Sequence, residues 1–346
     1  MTFLRVVSAR CIGLVVVAAC SSTNPKAPVA AARTVEFCGQ QLALDTTSIE
    51  CRTHRSHDFP MFGRTEDPPP IGTLEPLREL TALEELVVEG DNVTSIEPLR
   101  GLTRLRRIQL DYATVADLSP LAGLVKLESL ALEGATTTDT AAFANLRALK
   151  KLALGTALKD LSGLAHADAL EELTLASSAV TDLSPLAGKP HLHTLSLNET
   201  AIVDLSPLAN VPLTRLDMQR TQVHDLAPLA GSPTLADLNI DGSKVTVLVE
   251  LPALTALNIS RTKVADLAPL VHSPKLRYFG AFDAPITDAT PLAKLPELVE
   301  LNLWGTKITD TSMLANLGHV THLQIPNGSM DAPTQAKLKA RGVDVY

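Results

Sequence analysis

Aromatic side chains are scarce in this sequence. Seven Phe, three Tyr and one Trp make up 3% of its 346 residues, whereas hydrophobic residues make up 45%. A core must therefore be filled mostly by Leu, Val, Ile and Ala, which favours similar small layers. Basic residues are also few, with 30 Lys and Arg against 38 Asp and Glu and a net charge of −8. Since phosphate-binding surfaces need clustered Lys and Arg, this balance disfavours a nucleic-acid partner.

Catalytic and metal-binding motifs are missing as well. The sequence contains no GxSxG, phosphate loop, HExxH or EF-hand loop. The closest pairs among its nine histidines are His54 and His57, His191 and His193, and His319 and His322. A zinc site needs three or four convergent ligands, so we interpret these histidines as solvated. The sequence predicts a protein that is not an enzyme and holds no cofactor or metal.

The apolar run at the N-terminus is too short to cross a membrane. It extends from Cys11 to Ala19, after Arg5 and Arg10, whereas a transmembrane helix needs about 20 apolar residues. Positive charge followed by a short apolar run is typical of a secretory signal peptide. We predict a signal peptide over residues 1–19.

The residues around Cys20 resemble the lipobox of bacterial lipoproteins. They read Val17-Ala18-Ala19-Cys20, and the resemblance implies that Cys20 is lipidated and anchors the chain to a membrane. Ser21 stands where the family has Asp for inner-membrane retention. If the cell is Gram-negative, the resemblance therefore implies the outer membrane of the cell envelope, facing the periplasm or the surface. The alternative is an ordinary signal peptide with an incidental cysteine. Residues 20–34 are small, polar and proline-bearing, which predicts a flexible tether.

Two cysteines remain, Cys38 and Cys51. Export places them in an oxidising compartment, so a disulfide is expected. Closing this loop stabilises the fold by about 3 kcal/mol in the chain-entropy model. We predict an N-terminal cap over residues 35–70, in which Gln41–Asp45 forms a strand or hairpin over the first repeat.

The rest of the chain repeats one pattern, LxxLxL followed by a segment such as DLSPLAGL. The first inward apolar residues of the predicted strands are Leu86, Ile108, Leu130, Leu152, Leu173, Leu195, Leu216, Leu238, Leu257, Phe279, Leu301 and Leu323. Consecutive markers lie 21 or 22 residues apart, except for one step of 19 after Leu238, where the SPLAG turn is missing. We expect a thinner convex edge at that step.

This repeat resembles the leucine-rich repeat of the 22-residue internalin type, over about three quarters of the chain. The resemblance implies an α/β solenoid, a horseshoe or arc with a concave parallel β-sheet and short 3-10 turns on its convex side. About 12 repeats occupy residues 71–325. A C-terminal cap covers residues 326–346, with a helix from Asp331 through Arg341, a stop at Gly342 and a last strand in the VDVY segment.

Two polar columns recur with the repeat. Aspartates precede nine of the convex turns: Asp117, Asp139, Asp160, Asp182, Asp204, Asp225, Asp266, Asp288 and Asp310. We interpret them as caps of the turns rather than as a calcium ladder. Hydroxyls form the second column, at Thr156, Ser178, Thr200, Thr221, Ser243, Thr262 and Thr306. We expect them to satisfy backbone groups.

The outward positions of the strands predict a binding site. Most carry small or polar residues, but near the C-terminus they include aromatic ones, which are enriched in interface hot spots. The candidate ligand-binding residues are Tyr278, Phe282, Trp304, His322, Glu300 and Asn302. The alternative is that the C-terminal cap folds over these rings.

The sequence bears on three classes of function. The sequence favours an envelope-anchored, monomeric lipoprotein that binds a protein or glycan ligand through the concave face. The alternative is a structural or assembly lipoprotein whose partner is another envelope component. An enzyme is disfavoured, because nothing in the sequence pairs a nucleophile with a base.

Overall fold

The computed structural model describes residues 33–51, 71–89, 93–325 and 330–346. The predicted signal peptide (1–19), the lipidation site Cys20, nearly all of the tether, and residues 52–70 of the N-terminal cap lie outside the described residues.

The N-terminal cap begins with an antiparallel hairpin of β1 (Thr34–Phe37) and β2 (Gln40–Ala43). A third strand, β3 (Ser48–Cys51), pairs in parallel with the first repeat strand. The Gln41–Asp45 segment therefore belongs to the hairpin and the turn after it, and β3 is the strand that covers the first repeat. The predicted disulfide between Cys38 and Cys51 is present, and it ties the hairpin to the sheet.

Twelve repeat strands continue the sheet from β3. They are β4 (Glu85–Glu89), β5 (Arg107–Asp111), β6 (Ser129–Leu132), β7 (Lys151–Leu154), β8 (Glu172–Thr174), β9 (Thr194–Ser196), β10 (Arg215–Asp217), β11 (Asp237–Asn239), β12 (Ala256–Asn258), β13 (Tyr278–Gly280), β14 (Glu300–Asn302) and β15 (His322–Gln324). With β3 and β16 they form one sheet of 14 parallel strands in sequence order.

The repeat markers set the register of this sheet. Each pairs directly with the marker of the next strand, for example Leu195 with Leu216 and Phe279 with Leu301. All twelve side chains are at most 3% exposed. Because side chains alternate between the two faces of a strand, the residues on either side of each marker lie on the concave face, where all but Val87 are at least partly exposed. The apolar repeat thus explains both the single core and the exposed concave face.

Short 3-10 turns form the convex side. They span Glu75–Glu79, Glu97–Leu99, Ser119–Gly123, Ala141–Phe143, Ser162–Leu164, Ser184–Leu186, Ser206–Leu208, Ala227–Leu229, Ala268–His272, Thr290–Lys294 and Ser312–Asn316. Between β11 and β12, all of whose connecting residues are described, there is no 3-10 turn. This confirms the expectation from the 19-residue step.

The aspartate column caps the turns, as predicted. In all nine cases the Oδ1 atom accepts the backbone N–H of the residue two positions later, at 2.8–3.0 Å. This is an Asx-turn bond. Each aspartate lies two residues before the first residue of its 3-10 turn. The donated N–H lowers the pKa of Asp182, Asp204 and Asp288, because hydrogen bonds to a carboxylate favour its charged form.

The hydroxyl column behaves less uniformly. Thr200, Thr221, Thr262 and Thr306 each donate to the carbonyl three residues earlier, at 2.7–3.0 Å. Ser178 and Ser243 are buried, but their hydroxyls have no hydrogen-bond partner among the described residues. Thr156 is exposed. Thr156 follows its marker, Leu152, by four residues, whereas the other hydroxyl residues follow their markers by five. The Thr156 side chain therefore lies outside the interior.

The C-terminal cap contains α1 (Ala332–Ala340) and β16 (Asp344–Val345). Asp331 caps the helix by accepting the Thr334 N–H at 2.8 Å, as predicted. The helix ends one residue earlier than expected, and Gly342, at φ +73°, allows the chain to turn back. The predicted last strand is confirmed, since β16 pairs in parallel with β15.

Candidate functional site

Strands β10 to β15 carry an open depression on the concave face, with a volume of about 380 Å³. Two small residues create it. Ala256 begins β12 and Gly280 ends β13. An added Cβ at Gly280 would lie 3.1 Å from Oδ1 of Asn258. Because the side chains are short here, the markers Leu257, Phe279 and Leu301 contribute to the floor.

Four of the predicted site residues line this depression: Tyr278, Glu300, Asn302 and His322. Tyr278, Glu300 and His322 begin three consecutive strands and are paired in register. Their Cα atoms are therefore separated by about 4.8 Å from strand to strand. The structure brings a phenol, a carboxylate and an imidazole into one row.

Phe282 and Trp304 do not line the depression. They follow β13 and β14, four residues after Tyr278 and Glu300 respectively. At about 3.3 Å per residue along a strand, their Cα atoms lie at most about 13 Å away, towards the opposite edge of the concave face. The predicted aromatic set is thus divided between two edges.

The C-terminal cap leaves these rings accessible. Tyr278 is 42% and Trp304 40% exposed, whereas Phe282 is half-buried. In the described part of the cap, α1 packs against the 3-10 turn Ser312–Asn316. The alternative reading, in which the cap covers the rings, does not describe this structure.

Charges in the depression are partly paired. Arg215 and Asp237 form an ion pair at 3.2 Å, and Nε2 of His322 lies 3.8 Å from Asp344. Glu300 is exposed and forms no ion pair or side-chain hydrogen bond with any described residue. It is the unmatched charge of the site.

Asparagines along the middle of the floor present hydrogen-bond donors. The Oδ1 atoms of Asn239, Asn258 and Asn302 accept backbone N–H groups two residues later, at 3.2, 3.0 and 3.0 Å. Their amide NH₂ groups have no partner among the described residues. Since each NH₂ carries two donors, the floor can bind acceptor groups such as carbonyl oxygens.

The sequence reasoning did not select Asn239, Asn258, Ala256 or Gly280. A signal for the asparagines was present, because the strand motifs DLNI, ALNI and ELNL place Asn at the same outward position. The depression itself depends on two small residues lying diagonally on adjacent strands. That arrangement becomes visible only once the register is known.

Metal binding finds no support in the described ranges. They contain no group of three or more His, Cys, Asp or Glu side chains placed to hold an ion. The predicted histidine pair His54 and His57 lies outside them. Nor do the described residues include a helix long and apolar enough for a bilayer.

Several solved structures resemble this one. An internalin (InlF) from Listeria monocytogenes has a TM-score of 0.63 and 27% sequence identity, covering 80% of this chain and 77% of its own. The functional domain of InlJ from the same organism has a TM-score of 0.57 and 20% identity, covering 83% and 70%.

A plant receptor also shares the fold. The peptide hormone receptor RGFR1, solved in complex with RGF2, has a TM-score of 0.62 and 16% identity, covering 77% of this chain and 47% of the receptor. No family model matches the sequence, and no curated protein matches it. Its 14-stranded parallel sheet, its 3-10 turns and these structural likenesses show that the chain has a leucine-rich-repeat solenoid fold similar to that of internalins.

Proposed function

We propose that this protein binds another protein through the C-terminal half of its concave face. The observation that carries the proposal is the exposure of Tyr278 on β13 and of Trp304 just after β14, on a face whose outward side chains are mostly small or polar. Tyr and Trp are enriched in interface hot spots, because they bury a large area and keep one polar group. A rigid sheet also holds them at little entropic cost on binding.

The dimensions of the concave face fit such a role. Fourteen strands at about 4.8 Å spacing extend over about 60 Å, and three outward positions per strand span about 13 Å. The face therefore offers roughly 800 Å², about the area that one partner contributes to a standard protein interface. Strands β10 to β15 make up less than half of it, being six of the fourteen strands, which suits an elongated or small segment of the partner.

The structural relatives support protein binding. The plant receptor that shares the fold was solved with the peptide RGF2, and the internalin InlF shares 27% of its residues with this chain. A glycan is the competing ligand. The amide donors on the floor can serve either ligand, whereas aromatic residues at two separate edges of the face favour a partner with several side chains.

We also propose that the protein is a lipoprotein of the cell envelope, anchored through Cys20 as a monomer and most consistent with the outer membrane. The support is the Val17-Ala18-Ala19-Cys20 segment. Mass spectrometry of the mature N-terminus should find acyl chains on Cys20. A Cys20→Ala variant should move from the membrane fraction to the soluble fraction, and an unmodified Cys20 in the membrane fraction would contradict the anchor.

Affinity capture with matched variants tests the binding function. The bait is the purified protein, offered a detergent extract of the cells that produce it and extracts of foreign cells. A Tyr278→Ala/Trp304→Ala variant should lose the captured protein. A Val203→Ser/Val247→Ser variant, which removes two exposed apolar side chains outside the strands, should retain it. Equal capture by both variants would contradict the proposed face.

The origin of the captured partner separates the two functions considered from the sequence. A partner on foreign cells indicates adhesion or recognition. A stable partner from the producing cell's own membranes indicates a structural or assembly role, and both roles use the same concave face.

A further inference from the structure

We propose that the depression between β10 and β15 is a subsite for one positively charged side chain, Arg or Lys, carried by an extended segment of the protein partner. This inference rests on the proposed binding function and adds the chemistry that the site selects. Three features of the described residues lead to it: an unmatched carboxylate, an adjacent aromatic ring, and a row of amide donors.

The first feature is the charge of Glu300. Of the two other carboxylates near the row, Asp237 pairs with Arg215, whereas Asp344 lies 3.8 Å from Nε2 of His322, a contact that is an ion pair only when the imidazole is protonated. Glu300 begins β14 between Tyr278 and His322, and it has no such partner. An opposite charge on the ligand would therefore complete the site. The depression has no unmatched cation among its lining residues that would select an anionic group.

The second feature is the ring of Tyr278, which stands beside Glu300 in the paired register. It already attracts a guanidinium of its own chain, since Cζ of Arg277 lies 5.9 Å from the ring centroid. A ring has two faces, and Tyr278 remains 42% exposed. A ligand cation can contact the ring and the carboxylate together, because an aromatic face attracts positive charge.

The third feature distinguishes a peptide from an isolated cation. Asn258 and Asn302 lie on either side of Gly280, with their Oδ1 atoms bonded to backbone N–H groups and their NH₂ groups without partners. Peptide carbonyl oxygens accept such donors. A short extended segment can thus lay its backbone over Gly280 and place one basic side chain against Glu300.

Two short peptides test the charge requirement directly. The probes are Ac-Gly-Arg-Gly-NH₂ and the same peptide with citrulline, which has nearly the shape of arginine without its charge. NMR of the ¹⁵N-labelled protein should show the arginine peptide shifting the backbone signal of Gly280 and the side-chain amides of Asn258 and Asn302. The citrulline peptide should bind about tenfold more weakly, because hydrogen bonds to charged groups are stronger than neutral ones.

Matched variants assign the effect to the proposed residues. Glu300→Gln should weaken the arginine peptide about tenfold, and Tyr278→Ala about threefold. Glu85→Gln is the control, because Glu85 is exposed and begins β4 in the same row, ten strands away. It should leave the affinity unchanged.

The proposal is overturned if neither peptide shifts these signals, if citrulline binds as well as arginine, or if Glu300→Gln has no more effect than Glu85→Gln. Binding of cellotetraose at Gly280 in place of the arginine peptide would assign the depression to a glycan instead. None of these outcomes decides the broader function, since capture of a protein partner depends on the entire face and is measured without these probes.

Discussion

Replacing Gly163 by alanine should strongly destabilise the solenoid, although alanine usually favours folding over glycine. Gly163 lies in the 3-10 turn Ser162–Leu164 and packs against the preceding repeat. A Cβ added there would lie 1.7 Å from the carbonyl oxygen of Thr140 and 2.4 Å from its carbonyl carbon. Non-bonded heavy atoms normally stay beyond about 3 Å, so the two turns must separate by more than about 1 Å.

The magnitude follows from two costs and one gain. Overpacking costs about 1–3 kcal/mol. Moving the turns also weakens the 3.0 Å hydrogen bond from the Gly163 N–H to Oγ1 of Thr140, which contributes about 1 kcal/mol. The smaller conformational entropy of unfolded alanine offsets about 0.4–1 kcal/mol. We expect Gly163→Ala to lower the free energy of unfolding by about 2–3 kcal/mol.

Urea unfolding of the purified protein, followed by circular dichroism, measures this change. The matched control is Gly123→Ala, in the turn Ser119–Gly123, where an added Cβ meets nothing within 4 Å. Gly123→Ala should stay within about 0.5 kcal/mol of the unsubstituted protein. Gly163→Pro should also destabilise, although Pro185 stands at the corresponding position in the next 3-10 turn, because proline has no N–H for Thr140. Equal stability of the two alanine variants would refute the reasoning.

Three further predictions concern stability. Thr262→Ala should cost about 1 kcal/mol by removing a buried hydrogen bond, whereas Ser243→Ala should be neutral or stabilising because the Ser243 hydroxyl is buried without a partner; urea unfolding compares the two, and a larger cost for Ser243→Ala would contradict it. Replacing Cys38 and Cys51 by serine should lower the free energy of unfolding by about 3 kcal/mol, since the closed loop has a sequence separation of 13; an unchanged urea midpoint would show that the cap does not unfold with the repeats. Stability should fall as the pH drops below about 5, because backbone N–H donors hold the pKa of aspartates such as Asp204 below its unfolded value. The stabilisation is complete above the unfolded pKa and is lost as the pH falls through the folded pKa. Melting temperatures from pH 7 to pH 2 measure this pH dependence, which Asp204→Asn should reduce.

Much of the fold follows from the sequence, because every repeat predicts the same local structure. The marker spacing predicted the strand register, and the structure pairs all twelve markers in that order. The aspartate column was predictable for the same reason, since an Asx turn involves only a residue and the one two positions later.

Features that depend on contacts between neighbouring repeats could not be predicted in this way. Lys189 stands at the core position that Leu124 occupies three repeats earlier. Its side chain is 2% exposed, and its ammonium group reaches the carbonyl of Ala165 at 2.7 Å and Asp168 at 3.2 Å. Ala167 holds the same position in the preceding repeat, and its small side chain fits the course of the Lys189 side chain. The sequence of a single repeat does not reveal this contact.

The candidate site shows the same division. The outward positions of Tyr278, Glu300 and His322 followed from the repeat, because alternation along a strand is a local property. The separation of Phe282 and Trp304 from the depression depends on the length of each strand. The predicted register already makes Ala256 and Gly280 diagonal neighbours on adjacent strands. Whether the surrounding side chains leave an open depression depends on their conformations, which the repeat pattern does not specify.

Photo-crosslinking tests most directly whether the concave face between β10 and β15 binds a protein. A photoreactive amino acid at Asn258 or Gln324 samples the concave face, and one at Ser206 or Ala227 samples the convex turns. The account predicts that a captured partner crosslinks from the two concave positions and not from the turns. Crosslinks from Ser206 and Ala227, with none from Asn258 and Gln324, would contradict it.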